Sequence, residues 1–258
     1  MASERAAAPD DAETVIRADG LTIGWGDRVL MKDVNFEIHR GDIFVILGGS
    51  GCGKSTLLRH LVGLEVPKGG SIEIAGFGAP TSIVGAPPYG VMFQSGALFG
   101  SMTLAENVAV PLETWTDLDD ATIDVIVRSR LQLVGLDGFD SFLPSEISGG
   151  MKKRAGIARA LALDPPMLFL DEPSAGLDPI TAVELDDLIL TLSKSLGRSI
   201  VVVTHELASI FKIGSQCIML DKQAQGVIAQ GNPVELKEKS DDPRVKNFFN
   251  RISPTEGG

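Results

Sequence analysis

The sequence predicts an α/β fold: a core of parallel strands, an antiparallel β subdomain ahead of it and a helical subdomain set into it. Three observations lead there. Short apolar runs at residues 43–47, 91–93, 167–170 and 200–203 show no alternation, as expected of strands covered on both faces. Helical patterns separate these runs, as crossover connections between parallel strands require. The segment from Val15 to about Glu37 has short alternating stretches around Gly24 and Gly26, which read as antiparallel strands.

In chain order, residues 1–13 (MASERAAAPDDAE) read as a disordered tail. Residues 14–241 form the main domain, with its helical subdomain at about 95–150, where Ile123, Ile126, Val127, Leu131 and Val134 make one apolar helix face. A helix from Pro179 to Leu196 has Asp178 as its cap, Pro179 at its start and Gly197 at its stop; Leu185, Leu188, Ile189, Leu192 and Leu196 are its core face. Short strands follow near 217–221 and 226–230. Residues 242–258 begin with a last helix at Asp242-Pro243, with Val245, Phe248, Phe249 and Ile252 on one side, and end in a short tail.

Composition bounds the function. The chain has 258 residues, 44% hydrophobic and 22% charged, enough for a large core. No apolar run approaches the ~18–20 residues that span a bilayer, and the N-terminus lacks the apolar centre of a signal peptide. The expectation is a cytoplasmic chain that reaches a membrane only through a partner. The net charge of −11 argues against nucleic acid as a partner. Lys152, Lys153, Arg154 and Arg159 form a basic cluster that reads, at helical spacing, as a solvated face. Cys52 and Cys217 fit reduced core residues; Cys52, beside a helix N-terminus, is a candidate reactive thiol.

The chemistry starts at GGSGCGKST, residues 48–56, between the first core run and a helix carrying Leu57, Leu58, Leu61 and Val62. It fits G-x-x-x-x-G-K-[ST] at Gly48, Gly53, Lys54 and Ser55. In such a loop Gly48, Gly49, Ser50, Gly51, Cys52, Gly53 and Thr56 turn backbone N–H groups toward a polyphosphate. The helix N-terminus adds partial positive charge. Lys54 reaches the β- and γ-phosphates, and the Ser55 hydroxyl takes a position on Mg²⁺. A glycine-rich turn that binds nothing is the alternative.

The run Met167–Leu170 ends in Asp171 and Glu172. Asp171 supplies a hard oxygen ligand for Mg²⁺, and Glu172 is the candidate general base for an attacking water. Ser148, Gly149 and Gly150 precede a long helical pattern. They make either a second anion-binding helix N-terminus or an ordinary cap.

Taken in order, the phosphate loop, the SGG segment, LDEP, SAGLD at 174–178 and TH at 204–205 resemble the ATP-binding subunit of an ABC transporter. The resemblance runs from about Leu21 to Phe249. It implies the family's P-loop ATPase fold and ATP as substrate with Mg²⁺. It also implies a head-to-tail homodimer in which Ser148, Gly149, Gly150 and Asp178 of one copy close on the ATP of the other. By the same resemblance Trp25 stacks on adenine, although a strand tryptophan packed in a core is the other reading. Gln94, in VMFQSG, touches Mg²⁺ or its water and the membrane partner. His205 contacts the γ-phosphate and holds Glu172.

FQSGALF at 93–99, ISGGMKKRAGIARALALDP, AGLDPI at 175–180 and DPRVKNFF at 242–249 are similar to the ATPases of Mla- and Mce-type phospholipid transporters. Met151, where most of the family has glutamine, is typical of that subgroup. This implies an integral-membrane permease, an MCE-domain lipid-binding protein and a STAS-domain regulator as partners. It also implies a peripheral place on the cytoplasmic face of the inner membrane. The Gly- and Pro-rich segment 76–90 departs from the family's longer polar stretch. The alternatives are an ABC ATPase for a small-molecule substrate, a non-transport ABC ATPase acting on DNA, and a nucleotide-binding regulator with poor turnover.

Overall fold

The structure, a computed structural model, describes residues 13–252; the expected N-terminal tail, apart from Glu13, and the last six residues lie outside the described residues. The expected short β segments are two strands of 12 residues each, Thr14–Trp25 (β1) and Arg28–His39 (β2), paired antiparallel and bent by register shifts. The chain then enters the core sheet as Ile43–Gly48 (β3), turns into the helix Lys54–Leu61 (α1), and returns as Gly69–Ile74 (β4) to pair with β1. The small sheet therefore has the order β2-β1-β4.

The core sheet adds Tyr89–Met92 (β5), Met167–Asp171 (β6), Ser199–Val203 (β7), Gln216–Asp221 (β8) and Gly226–Gly231 (β9), in the order β5-β6-β7-β3-β8-β9. Only β9, at one edge, runs antiparallel to its neighbour. Alternation divides the core. Leu168, Leu170, Ile200 and Val202 face one hydrophobic cluster, while Phe44, Ile46, Phe169, Val201 and Val203 face the cluster shared with the β subdomain. Because both faces are covered, the strands carry no polar side, which is why they read as continuous apolar runs.

The helical subdomain contains Leu104–Trp115 (α2) and Asp120–Leu133 (α3), packed on Gly149–Ala160 (α4). Thr103 and Glu106 form a reciprocal capping box at the start of α2. Ile123, Val127, Leu131 and Val134 are buried as expected. Pro179–Leu196 (α5) has the bounds its cap and stop residues predict. Its covered face ends at Ser193, so Leu196 is exposed and not a core residue. Leu207–Ile213 (α6), Pro233–Lys239 (α7) and Pro243–Phe249 (α8) complete the chain, and Val245 and Phe249 bury against Val45 and Leu47. Ile252 falls outside α8. Asn250 ends that helix, Arg251 takes a positive φ of 54°, and the helical phase that would have buried Ile252 is lost. Among the described residues no helix is long and apolar enough to cross a membrane.

Candidate functional site

Strand register brings the predicted groups together. Asp171 at the end of β6 pairs with Val203 at the end of β7, and Val203 pairs with Ile46 of β3. Glu172, His205 and Gly48 lie one or two residues beyond these positions, so the three loops open side by side at the carboxyl ends of parallel strands. A cleft of about 800 Å³ lies there, lined by the phosphate loop together with Trp25, Gln94, Glu172 and His205.

The loop is built for close approach. Gly48 has φ 146°, and a Cβ there would meet the Leu220 carbonyl oxygen at 2.4 Å. Gly53, with φ 102°, is the N-cap of α1 and offers no side-chain acceptor, so the first N–H groups of the helix are left for a ligand. Lys54 is buried and its Nζ donates to the carbonyls of Gly48 at 2.9 Å and Gly49 at 3.2 Å. These bonds hold the ammonium over the loop, where phosphate oxygens can replace the carbonyls. Ser50, Gly51, Ser55 and Thr56 line the same cleft.

Ser55 Oγ donates to Asp171 Oδ1 at 3.3 Å. Asp171 is buried, and burial pushes its carboxyl above the usual carboxylate range, with the Ser55 bond opposing and Glu172 reinforcing the rise. Two hard oxygen donors thus sit together, one of them a carboxylate whose charge is only partly compensated. Both also line an adjoining cleft of about 620 Å³ that includes Gln94. Among the described residues no three His, Cys, Asp or Glu side chains cluster as a metal cage. Mg²⁺ needs no such cage, because it keeps phosphate and water ligands and takes one or two from protein. The residues present fit it.

Glu172 is buried, and its Oε1 sits 2.8 Å from His205 Nδ1. Its Oε2 is buried with no partner among the described residues, an acceptor left over in a carboxylate facing the cleft. Its backbone is at φ 47°, in the left-handed region that a glutamate adopts only when its surroundings hold it there. The Glu172 N–H donates to the Val203 carbonyl at 2.8 Å and its carbonyl accepts from Lys153 Nζ at 2.8 Å.

Trp25 is half exposed and lines the cleft, so it is not a packed core residue. Gln94 is exposed at the junction of the two clefts. Cys52 is buried, and burial pushes its thiol up despite the opposing charge of Lys54, which contradicts the expectation of a reactive thiolate. Cys217, also a free buried thiol, is pushed up to about 12.

Ser148, Gly149, Gly150 and Asp178 are not part of this cleft. Ser148 caps α4 by accepting from Met151 N at 3.3 Å. Asp178 caps α5, accepting from the N–H groups of Ile180 and Thr181 at 3.1 Å each and from Thr181 Oγ1 at 2.6 Å; these bonds hold its carboxyl below the usual range. The two segments meet each other instead: a Cβ on Gly150 would lie 2.5 Å from Thr181 Cγ2. Ser148, Gly149 and Asp178 are exposed.

The basic cluster is not a solvated face. Lys153 is buried at 6% exposure, and its Nζ donates to the carbonyls of Gln94 and Glu172. Arg154 donates to the Val134 carbonyl and Arg159 to those of Gly96 and Ala97. Charge spacing along a helix cannot reveal which cations turn inward to loop carbonyls. Sequence reasoning also missed Arg28, Lys222 and Arg251, which line the cleft mouth and put local positive charge there in an acidic chain. Only Arg28, three residues after Trp25 in GWGDR, had a nearby signal.

Comparison with known proteins agrees with this geometry. The family model described as ABC transporter matches residues 31–175. The ribonucleotide transport ATP-binding protein mkl of Mycobacterium leprae, a probable assignment by its own name, is 40% identical over 93% of this chain and 70% of its own length. The intermembrane phospholipid transport system ATP-binding protein MlaF of Escherichia coli K12 is 38% identical over 88% of this chain and 86% of its own, and that of Haemophilus influenzae is 36% identical over 92% and 90%. Among solved structures, the dimeric ATP-binding cassette MJ0796 in a post-hydrolysis state with ADP and Pi aligns with a TM-score of 0.75 at 27% identity, covering 84% of this chain and 98% of that one. The cbiO1 protein of Clostridium perfringens, part of the ABC transporter complex cbiONQ, aligns at 0.77 and 27% identity, covering 93% and 97%.

Proposed function

The chain belongs to the ABC transporter family, and from that premise we propose that it powers the movement of phospholipid between two membranes. It is an ATP-binding, ATP-hydrolysing subunit. The lipid assignment is supported by its likeness, across most of both chains, to proteins named for intermembrane phospholipid transport.

The observation that carries the catalytic reading is the Glu172–His205 pair beside the phosphate loop. The Glu172 carboxylate, which keeps an unpartnered oxygen, accepts the proton of a water that attacks the γ-phosphate, while His205 fixes it through Oε1. Backbone N–H groups of the loop and Lys54 bind the phosphates, and Trp25 stacks on the base. Ser55 and Asp171, with Gln94 beside them, would hold Mg²⁺, which when bound would supply charge neutralisation at the phosphates. Ser148, Gly149 and Asp178 are exposed residues at helix starts and do not line this cleft, which supports a homodimer in which they, with Gly150, close on the ATP of the other copy. The subunit works on the cytoplasmic face of the inner membrane with an integral-membrane permease, an MCE-domain lipid-binding protein and a STAS-domain regulator.

The test is purification of the tagged chain from membranes in mild detergent, identification of what accompanies it, and lipid transfer between liposomes. Co-purification of a permease and an MCE-domain protein with ATP-dependent lipid transfer supports the reading. A permease accompanied by a solute-binding protein, with ATP-driven uptake of a nucleotide, favours the second reading, which the name of the mycobacterial relatives motivates.

A further inference from the structure

We propose that Lys153 is a positioning residue for hydrolysis, a buried cation that holds the catalytic carboxylate in place and ties it to the Gln94 segment. This rests on the reading of Glu172 as general base.

Lys153 lies one turn into α4, which starts at the exposed Ser148 and Gly149. Its ammonium turns inward instead of to solvent and donates to two backbone carbonyls, those of Glu172 and Gln94. Neither acceptor is a carboxylate. Asp171 and Glu172 are near enough to favour its charge, but desolvation outweighs them and pushes the ammonium below the ordinary lysine range. Holding an amine here therefore works against burial, and a simple packing role would be filled better by an apolar side chain.

What the amine does is visible in the backbone it grips. Glu172 is held at φ 47°, which costs a non-glycine residue free energy unless neighbouring bonds fix it. Four bonds fix it: the Glu172 N–H to Val203, the side chain to His205, and the carbonyl accepting from the Ala175 N–H at 3.3 Å and, more closely, from Lys153 Nζ at 2.8 Å. Only the last comes from outside the core strands and their loops. Without it the Glu172 carbonyl keeps only the longer Ala175 bond, and the peptide can relax and carry the carboxylate from its place at the cleft. The same Nζ holds the carbonyl of Gln94, a residue at the junction of the two clefts. Movement of α4, transmitted from its exposed N-terminus, or movement of the Gln94 loop therefore reaches the general base through one side chain.

The experiment compares Lys153→Met and Lys153→Gln with the parent in the purified transporter complex, recording the melting temperature, kcat and KM for ATP. Methionine fills similar space without a donor; glutamine keeps two N–H donors without charge. The expected result is a kcat lower by about ten- to a hundredfold in Lys153→Met, from sub-ångström misplacement of the base, with KM for ATP within about twofold. Lys153→Gln recovers most of the loss. Parent-like kcat in Lys153→Met, an equal fall in kcat and ATP affinity in both variants, or failure of both to fold overturns the proposal, the last by reducing Lys153 to a packing residue. A Glu172→Gln control separates this from failure of the underlying reading: if that variant hydrolyses ATP at the parent rate, the base is misassigned.

Discussion

The two regions of this chain to which we assign nucleotide contact are built in opposite ways. At the carboxyl ends of β3, β6 and β7, Lys54, Asp171 and Glu172 are buried, and each is held by another part of the same chain: Asp171 by Ser55, Glu172 by His205, Lys54 by the loop carbonyls. Outside that cleft, Ser148 and Asp178 are exposed, and their side chains bond to the helices they cap. The first region is a finished half-site. The second has anion-ready helix starts and lines neither of the two clefts that Gln94 joins, as expected if its ligand arrives on a second copy.

Substitutions can break this contrast at its strongest point first. Glu172→Gln removes the acceptor while leaving the phosphate loop intact. Turnover is expected to fall by roughly 10²–10⁴-fold with ATP affinity retained, as read by phosphate release and fluorescent ATP binding. Ser148→Arg places a bulky group on the exposed region alone. Hydrolysis should fall by about a hundredfold, the effect of losing oriented donors, while a single chain binds ATP as before. Loss of ATP binding in that variant would mean that the two regions are not separable. Trp25→Ala should weaken ATP binding by roughly tenfold, the worth of one base stack, with little change in turnover at saturation.

The smallest effect concerns stability and sharpens the contrast electrostatically. Burial raises the Asp171 carboxyl above its unfolded value, so its contribution to folding is most favourable below the ordinary carboxylate range and is lost as pH rises through the folded value. Asp171→Asn should therefore raise the melting temperature of the nucleotide-free protein near neutral pH by a few degrees, about 1 kcal/mol, and the gain should shrink in acid. Calorimetry across pH reads this directly.

Much of the finished half-site is legible in the sequence because it is written in local signals. The glycines that take positive φ, the strand that ends in Asp171, and the Asp178–Pro179 to Gly197 frame of α5 each act within a few residues. What escapes is decided by tertiary direction. Lys153, Arg154 and Arg159 look like surface charge until the packing of α4 turns them onto carbonyls. The bounds of α2 are obscured by Pro111, an internal proline that sequence rules count as a breaker, although the Thr103–Glu106 box and the buried Asn107 side chain anchor its start. Ile252 keeps its apolar character but loses its place because α8 stops one turn early.

The account turns on the claim that the half-site at the cleft of one copy is completed by the exposed helix starts of a second copy. The most direct measurement is light scattering of the Glu172→Gln protein with and without ATP and Mg²⁺, repeated with Ser148→Arg added. The account predicts a dimer only with ATP, and a monomer that still binds ATP once Ser148 is replaced. An ATP-dependent dimer that survives the Ser148→Arg change, or one that forms without nucleotide, would contradict it.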